Sequence, residues 1–213
     1  MSSPLVRHGR FITFEGGEGA GKSTQVRLLA DWLMARGIPV EVTREPGGSP
    51  GAEEIRALLI SGEGGRWDPL AETLLHYAAR REHVVRRVVP ALEAGAWVLC
   101  DRFADSTVAY QGYGQGVPFE QIATIQKATL GGFAPDLTLI LDVSPQTRQL
   151  RIGARPGGLD RYERMDEAFH VRVREGFIAI AALDPQRCRV IPADGDIATV
   201  ARAIQDAVGA DME

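Results

Sequence analysis

Strand-like and helix-like segments alternating along 213 residues predict an α/β fold, a parallel sheet of five strands with helices on both faces. Three observations carry that expectation. Short apolar runs of strand length recur, the segments between them carry apolar residues at helical spacing, and a glycine-rich turn separates the first strand from the first helix.

The first strand is RFITFE (10–15), which runs into glycines. The segment 22–37 places Val26, Leu29, Leu33 and Met34 on one helical face, and Gly37 ends it. IPVEVT (38–43) is the second strand, REPGGSPG (44–51) a link rich in turn formers, and EEIRALLI (53–60) a helix. After the glycine-rich 61–69, a helical pattern runs from Leu70 to Ala94, with Pro90 inside it as an expected kink or break. AWVLCD (96–101) reads as a strand buried on both faces that ends on an acid, and the polar, glycine-rich 102–116 as a link to a helix at about 118–130. LTLILDV (137–143) is another buried strand. A helix near 145–153, a basic loop 154–161, a long helix 162–183, the strand RCRVIPA (187–193) and a helix at about 196–208 complete the order.

Bulk composition narrows the function classes. Apolar residues at 45% and charged residues at 24% sit at globular averages, and the length fits one domain, 1–213. No apolar stretch approaches the roughly 18–20 residues that span a bilayer, so a cytoplasmic chain without a membrane partner is expected. A net charge of −4 offers no basic face for nucleic acid. Cys100 and Cys188 are too few for a disulfide framework and lie in apolar runs. Of the 24 basic residues only Lys22 and Lys127 are lysines, so a lysine kept at position 22 stands out in an arginine-rich chain.

Gly16, Gly21, Lys22 and Ser23 fit glycine, four residues, glycine, lysine and serine or threonine, between a strand and a helix. The residue types follow from phosphate chemistry. Glycines let the backbone of Gly16, Gly17, Glu18, Gly19, Ala20 and Gly21 curl so that N–H groups point at phosphate oxygens, and the helix beginning near Lys22, Ser23 and Thr24 adds its positive end. Lys22 supplies a charge to the β and γ phosphates of ATP, and the Ser23 hydroxyl is a ligand for Mg²⁺. Asp101, at the end of a buried strand, is the matching acid for Mg²⁺, although a strand-terminal Asp also caps helices. The expected fold is therefore the three-layer P-loop NTPase fold.

GGEGAGKST, TREPGG (43–48), YAARREH (77–83), DRFADSTVAYQGYGQG (101–116), PDLTLILDV (135–143) and LDRYE (159–163) occur in the order and spacing of bacterial thymidylate kinases, which the chain resembles from residue 11 to about 190. The resemblance implies transfer of the γ-phosphoryl of ATP to dTMP, giving dTDP in dTTP synthesis, by a homodimer with a small helical lid at about 148–162. Glu18 inside the phosphate loop resembles the class whose catalytic arginine comes from the lid, where Arg151, Arg155 and Arg161 stand; Arg155 is the first choice and Arg151 the second. Arg102 resembles the arginine that binds the acceptor phosphate, Arg80 the one that donates to a thymine carbonyl, and Thr107 and Gln111 groups along the thymine edge. Tyr110 matches the aromatic residue at the place of a ribose 2′-hydroxyl, and Glu45 and Arg56 fall where family members line the same pocket. His76, one helical turn before Arg80, stands where the family usually stacks thymine on phenylalanine.

The acceptor phosphate, with a second pKa near 6, needs no general base, so positioning and charge neutralisation by Lys22, Mg²⁺, Arg102 and a lid arginine are expected to suffice. Two readings stand beside this one. One is a deoxynucleoside kinase or another nucleoside monophosphate kinase on the same fold, of which the nucleoside kinase would need a carboxylate to deprotonate a 5′-hydroxyl, with Glu45 as its candidate; the other, a nucleotide-dependent switch, would need an N-K-x-D loop, which is absent.

Overall fold

The computed structural model describes residues 9–62, 65–154 and 161–210. Its strands are β1 (Phe11–Glu15), β2 (Val40–Arg44), β3 (Trp97–Asp101), β4 (Leu137–Asp142) and β5 (Cys188–Pro192), all parallel, in the spatial order β2-β3-β1-β4-β5. Because β1 lies between β3 and β4, the turn after β1 and the end of β3 emerge side by side at the carboxyl edge of the sheet. The register pairs Phe14 with Asp101. Ligands of open α/β sheets bind in that crevice.

The pleat divides β1 between two cores. Ile12 and Phe14 pack with Val26, Leu29 and Leu33 of α1 (Lys22–Met34) and with Val200, Ile204 and Val208 of α9 (Ile197–Ala210). Phe11 turns to the other face, with Val98, Cys100, Tyr77 and Phe103. Truncating a buried leucine such as Leu29 or Leu33 costs about 2–5 kcal/mol. Both cysteines are buried and free.

The helical stretch expected over 70–94 is continuous but not uniform. It comprises α3 (Pro69–His83), a π-helical segment (Val84–Val88) and α4 (Val89–Glu93), with Asp68 capping the first turn through Leu70 N and Ala71 N. Pro90 lacks an N–H, and its ring would crowd the preceding turn of an α-helix. The wider π turn just before it removes that conflict, so the helix is neither broken nor stopped.

Two boundaries differ from the sequence expectation. The stretch 102–116 is not a link: Ala104–Thr107 forms α5 and Val108–Gly114 a second π-helical segment. Its glycines serve packing, since a Cβ on Gly112 would lie 2.6 Å from the Phe119 ring and one on Gly114 2.5 Å from the Phe169 ring. The helix expected from 162 begins instead at Glu167, as α8 (Glu167–Leu183), because Asp166 accepts from Phe169 N at 2.7 Å and so fixes the first turn. The remaining helices, α2 (Pro50–Ile60), α6 (Phe119–Leu130) and α7 (Pro145–Gly153), lie within three residues of their expected bounds.

Candidate active site

The turn from β1 into α1 carries Gly16, Gly19 and Gly21 at φ of 126°, 72° and 89°, a conformation costly for any side chain with a Cβ. Gly16 is doubly constrained, because a Cβ there would lie 2.4 Å from the Leu141 carbonyl oxygen. Lys22 begins α1 and folds back over this loop, its Nζ donating to the carbonyls of Gly16 at 3.0 Å and Gly17 at 2.9 Å. Burial lowers the Lys22 pKa, as does Arg102 nearby, against the opposing pull of Asp101, Glu18 and Glu15. Ser23 Oγ donates to Asp101 Oδ2 at 2.6 Å, so the hydroxyl at the start of α1 meets the carboxylate at the end of β3.

Arg102 follows Asp101 directly and adopts φ 72°, the one described non-glycine residue with positive φ. Its Nη2 donates to Glu18 Oε1 at 2.6 Å and to the Tyr110 hydroxyl at 2.9 Å, while Nη1 donates to Gly16 O and Ser106 Oγ. Burial alone would raise the Glu18 carboxyl, but the charges of Arg102 and Lys22 outweigh it and hold the pKa at about 2. Below the turn sits Glu15, fully buried, accepting from Phe103 N, Ser106 N and Ser106 Oγ. Burial, reinforced by Asp105, raises its carboxyl to about 7.

A second cluster stands on α3. Arg80, 2% exposed, donates Nε to Glu45 Oε2 at 2.7 Å, Nη1 to Thr107 Oγ1 at 3.1 Å and Nη2 to the Phe103 carbonyl at 2.9 Å. His83 takes the other oxygen of Glu45 at 2.9 Å and reaches Thr43 Oγ1 through Nε2. One turn before Arg80, His76 Nε2 meets the Tyr162 hydroxyl at 2.8 Å. Burial, then the charges of Arg80, Arg161 and Arg102, depress the His76 pKa to about 3, so the ring is neutral. Arg56 donates to the Pro46 carbonyl at 2.7 Å.

These two clusters share a cleft of about 500 Å³. Glu18, Gly19, Gly21, Lys22, Ser23, Thr24 and Asp101 line one end, and Glu45, Arg56, His76, Arg80, Thr107 and Gln111 the other. Arg102 and Tyr110 lie between them. Arg151 of α7 also borders the cleft, donating to the carbonyls of Ala193 at 2.8 Å and Gly19 at 3.4 Å. Arg155 lies outside the described residues. Arg161 is 3% exposed and paired with Glu72. The sequence assigned no role to Glu72, His83 and Tyr162, whose partners are 35 or more positions away, nor to Phe103 and Ser106, which lie inside the 101–116 motif.

The thymidylate kinase family model matches residues 14–204. The chain belongs to that family. A thymidylate kinase of Caulobacter vibrioides is 56% identical over 203 residues, covering 95% of this chain and 97% of its own length. Another, from Nitrobacter winogradskyi, is 54% identical over 200 residues, with 93% and 87% covered. The solved thymidylate kinase from Ehrlichia chaffeensis superposes with a TM-score of 0.74 at 38% identity, over 94% of this chain and 98% of that one. As a member of the thymidylate kinase family the chain is a kinase, on the P-loop fold that its five parallel strands display. Among the described residues no helix is long and apolar enough to cross a membrane.

Proposed function

We propose that the chain transfers the γ-phosphoryl group of ATP to dTMP, giving ADP and dTDP, with the donor phosphates on the Gly16–Thr24 loop and the nucleoside of dTMP among His76, Arg80, Thr107, Tyr110 and Gln111. The observation that carries this reading is Arg102. Its guanidinium stands between the phosphate loop and the Arg80 cluster, bonded to Gly16 O and Glu18 on one side and Tyr110 on the other. An arginine fork there suits a phosphate dianion that must approach a second polyanion.

The residues divide the work as follows. Lys22 leaves the carbonyls of Gly16 and Gly17 for the β and γ phosphates, and Arg102 exchanges Glu18 for the acceptor phosphate. Arg80 is held by Glu45 so that its remaining N–H groups are available to a thymine carbonyl, with Thr107 and Gln111 along the same edge. Arg56 borders this pocket. Tyr110 fills the place of a 2′-hydroxyl, and Arg151, with Arg155 beyond it, supplies positive charge from the lid segment at about 148–162. No general base is required, because the acceptor is already largely ionised.

Ser23 Oγ and Asp101 Oδ2, both hard oxygen donors and 2.6 Å apart, fit Mg²⁺, which is commonly held by one or two protein oxygens together with substrate phosphates. When bound, Mg²⁺ neutralises charge on the transferring phosphoryl. Glu45 argues against the nucleoside-kinase alternative, since Arg80 and His83 occupy both of its oxygens.

A single domain over 1–213, a cytoplasmic location and a homodimer complete the proposal. For the homodimer, Leu70, Leu74 and Val85 form an exposed apolar stripe along one helical run. A coupled assay with ATP, Mg²⁺ and dTMP, dUMP, UMP, CMP or thymidine tests the reading. dTMP is expected to give the highest kcat/KM, and absence of turnover with dTMP overturns it.

A further inference from the structure

We infer that Glu72 selects the acceptor base by fixing which way the Gln111 side-chain amide faces, favouring a pyrimidine with N3–H beside a carbonyl over one with an amino group there. This rests on the proposal that the base lies in the Arg80 cluster.

Glu72 projects from α3, is 1% exposed and does not itself line the cleft. Its Oε1 accepts from Gln111 Nε2 at 2.8 Å, Gln115 Nε2 at 2.9 Å and the Tyr162 hydroxyl at 2.9 Å, and its Oε2 pairs with Arg161. A carboxylate paired with arginine only accepts, so Gln111 must turn its nitrogen toward Glu72 and its oxygen away. Among the described residues Gln111 Oε1 takes no hydrogen bond, and Gln111 lines the cleft.

Arg80 gives three of its five guanidinium N–H groups to Glu45, Thr107 and Phe103, and it lines the cleft. The base pocket thus presents an acceptor on Gln111 and donors on Arg80. That is the complement of a thymine or uracil edge, with O4 and N3–H, and the opposite of a cytosine edge, with an amino group and an unprotonated N3.

The same carboxylate sets His76. Tyr162 has one hydroxyl proton and gives it to Glu72, so its oxygen accepts from His76, which fixes the Nε2–H tautomer of the imidazole. One buried acid, acting as a positioning residue, therefore orients both an amide and an imidazole that line the cleft.

The test compares dissociation constants for dTMP and dCMP in the wild-type chain, Glu72→Gln and Tyr162→Phe, together with KM for ATP. Gln at 72 donates or accepts, so Gln111 is no longer forced to one orientation. The dTMP preference should narrow at least about tenfold, within the roughly 1–3 kcal/mol that a well-placed base contact discriminates, while KM for ATP stays unchanged. Tyr162→Phe spares the Glu72–Gln111 bond and should keep the wild-type ratio. In Gln111→Leu, adding Glu72→Gln should change the ratio no further. Should Glu72→Gln fail to fold, slow exchange of the Gln111 side-chain amide protons in the wild-type chain is the expected sign, and rapid exchange overturns the inference. A wild-type preference for dTMP that survives Glu72→Gln overturns this inference alone, whereas a wild-type chain with no such preference overturns the parent reading with it.

Discussion

Glu18 and Arg102 close an ion pair of 2.6 Å across the mouth of the phosphate loop, and the Tyr110 hydroxyl donates to the same carboxylate oxygen at 3.0 Å. The acceptor phosphate and Glu18 are therefore rivals for one guanidinium. Glu18→Gln keeps the shape and an acceptor for Tyr110 but gives up the charge. KM for dTMP should fall about 5- to 10-fold at low salt, the equivalent of about 1 kcal/mol, read from initial rates. A higher KM would mean that Glu18 holds the substrate directly.

Lys22 is the lysine folded back over the phosphate loop, and the other lysine, Lys127, is on α6 and exposed. Lys22→Ala should lower kcat by about 10³-fold or more with a near-unchanged thermal transition. Near-normal turnover would contradict the role proposed for it.

Arg80→Lys keeps the charge and loses the fork. A lysine cannot serve Glu45, Thr107 and Phe103 O together, so buried acceptors go unpaired. The variant should lose about 1–3 kcal/mol in urea unfolding and raise KM for dTMP about 10- to 100-fold. A loss of stability with KM unchanged would make Arg80 part of the scaffold only.

His76→Phe should keep or lower KM for dTMP, because phenyl offers a larger stacking face. It should also change the acid response. The folded-state pKa of His76 is about 3 against 6.5 ordinarily, so between those values the unfolded chain binds the extra proton and stability falls as pH drops through that window. Above it the effect is absent. Urea midpoints at pH about 7.5 and about 5 should differ less in the variant than in the wild type. An equal difference would show that His76 titrates normally in the folded chain.

The parts legible in the sequence are those whose signals are local. The phosphate loop needs its glycines and Lys22 at fixed offsets, and Asp101 sits at the end of an apolar run, so both could be read without knowing the sheet order. Gly112 and Gly114 misled for a physical reason: glycine marks turns, but here it admits the rings of Phe119 and Phe169 against a helical backbone. Glu72 and Tyr162 were invisible because neither has meaning until the chain 90 positions apart is brought together. Thr43, Glu45 and His83 likewise form one buried string only after β2 and α3 are packed.

Arg102 occupies a left-handed backbone conformation that an L-amino acid with a Cβ adopts at a cost of roughly 1–2 kcal/mol, and four hydrogen bonds fix the side chain beyond it. A long cation that would otherwise sample many rotamers is thus immobilised while the chain folds. A ligand arriving later meets a group with little freedom left to lose, so its association carries a smaller entropic penalty than a surface arginine would impose. Loosening the turn around Glu15 and Ser106 would shift that ordering from folding to binding, and calorimetry would register it as a less favourable binding entropy with the contacts unchanged.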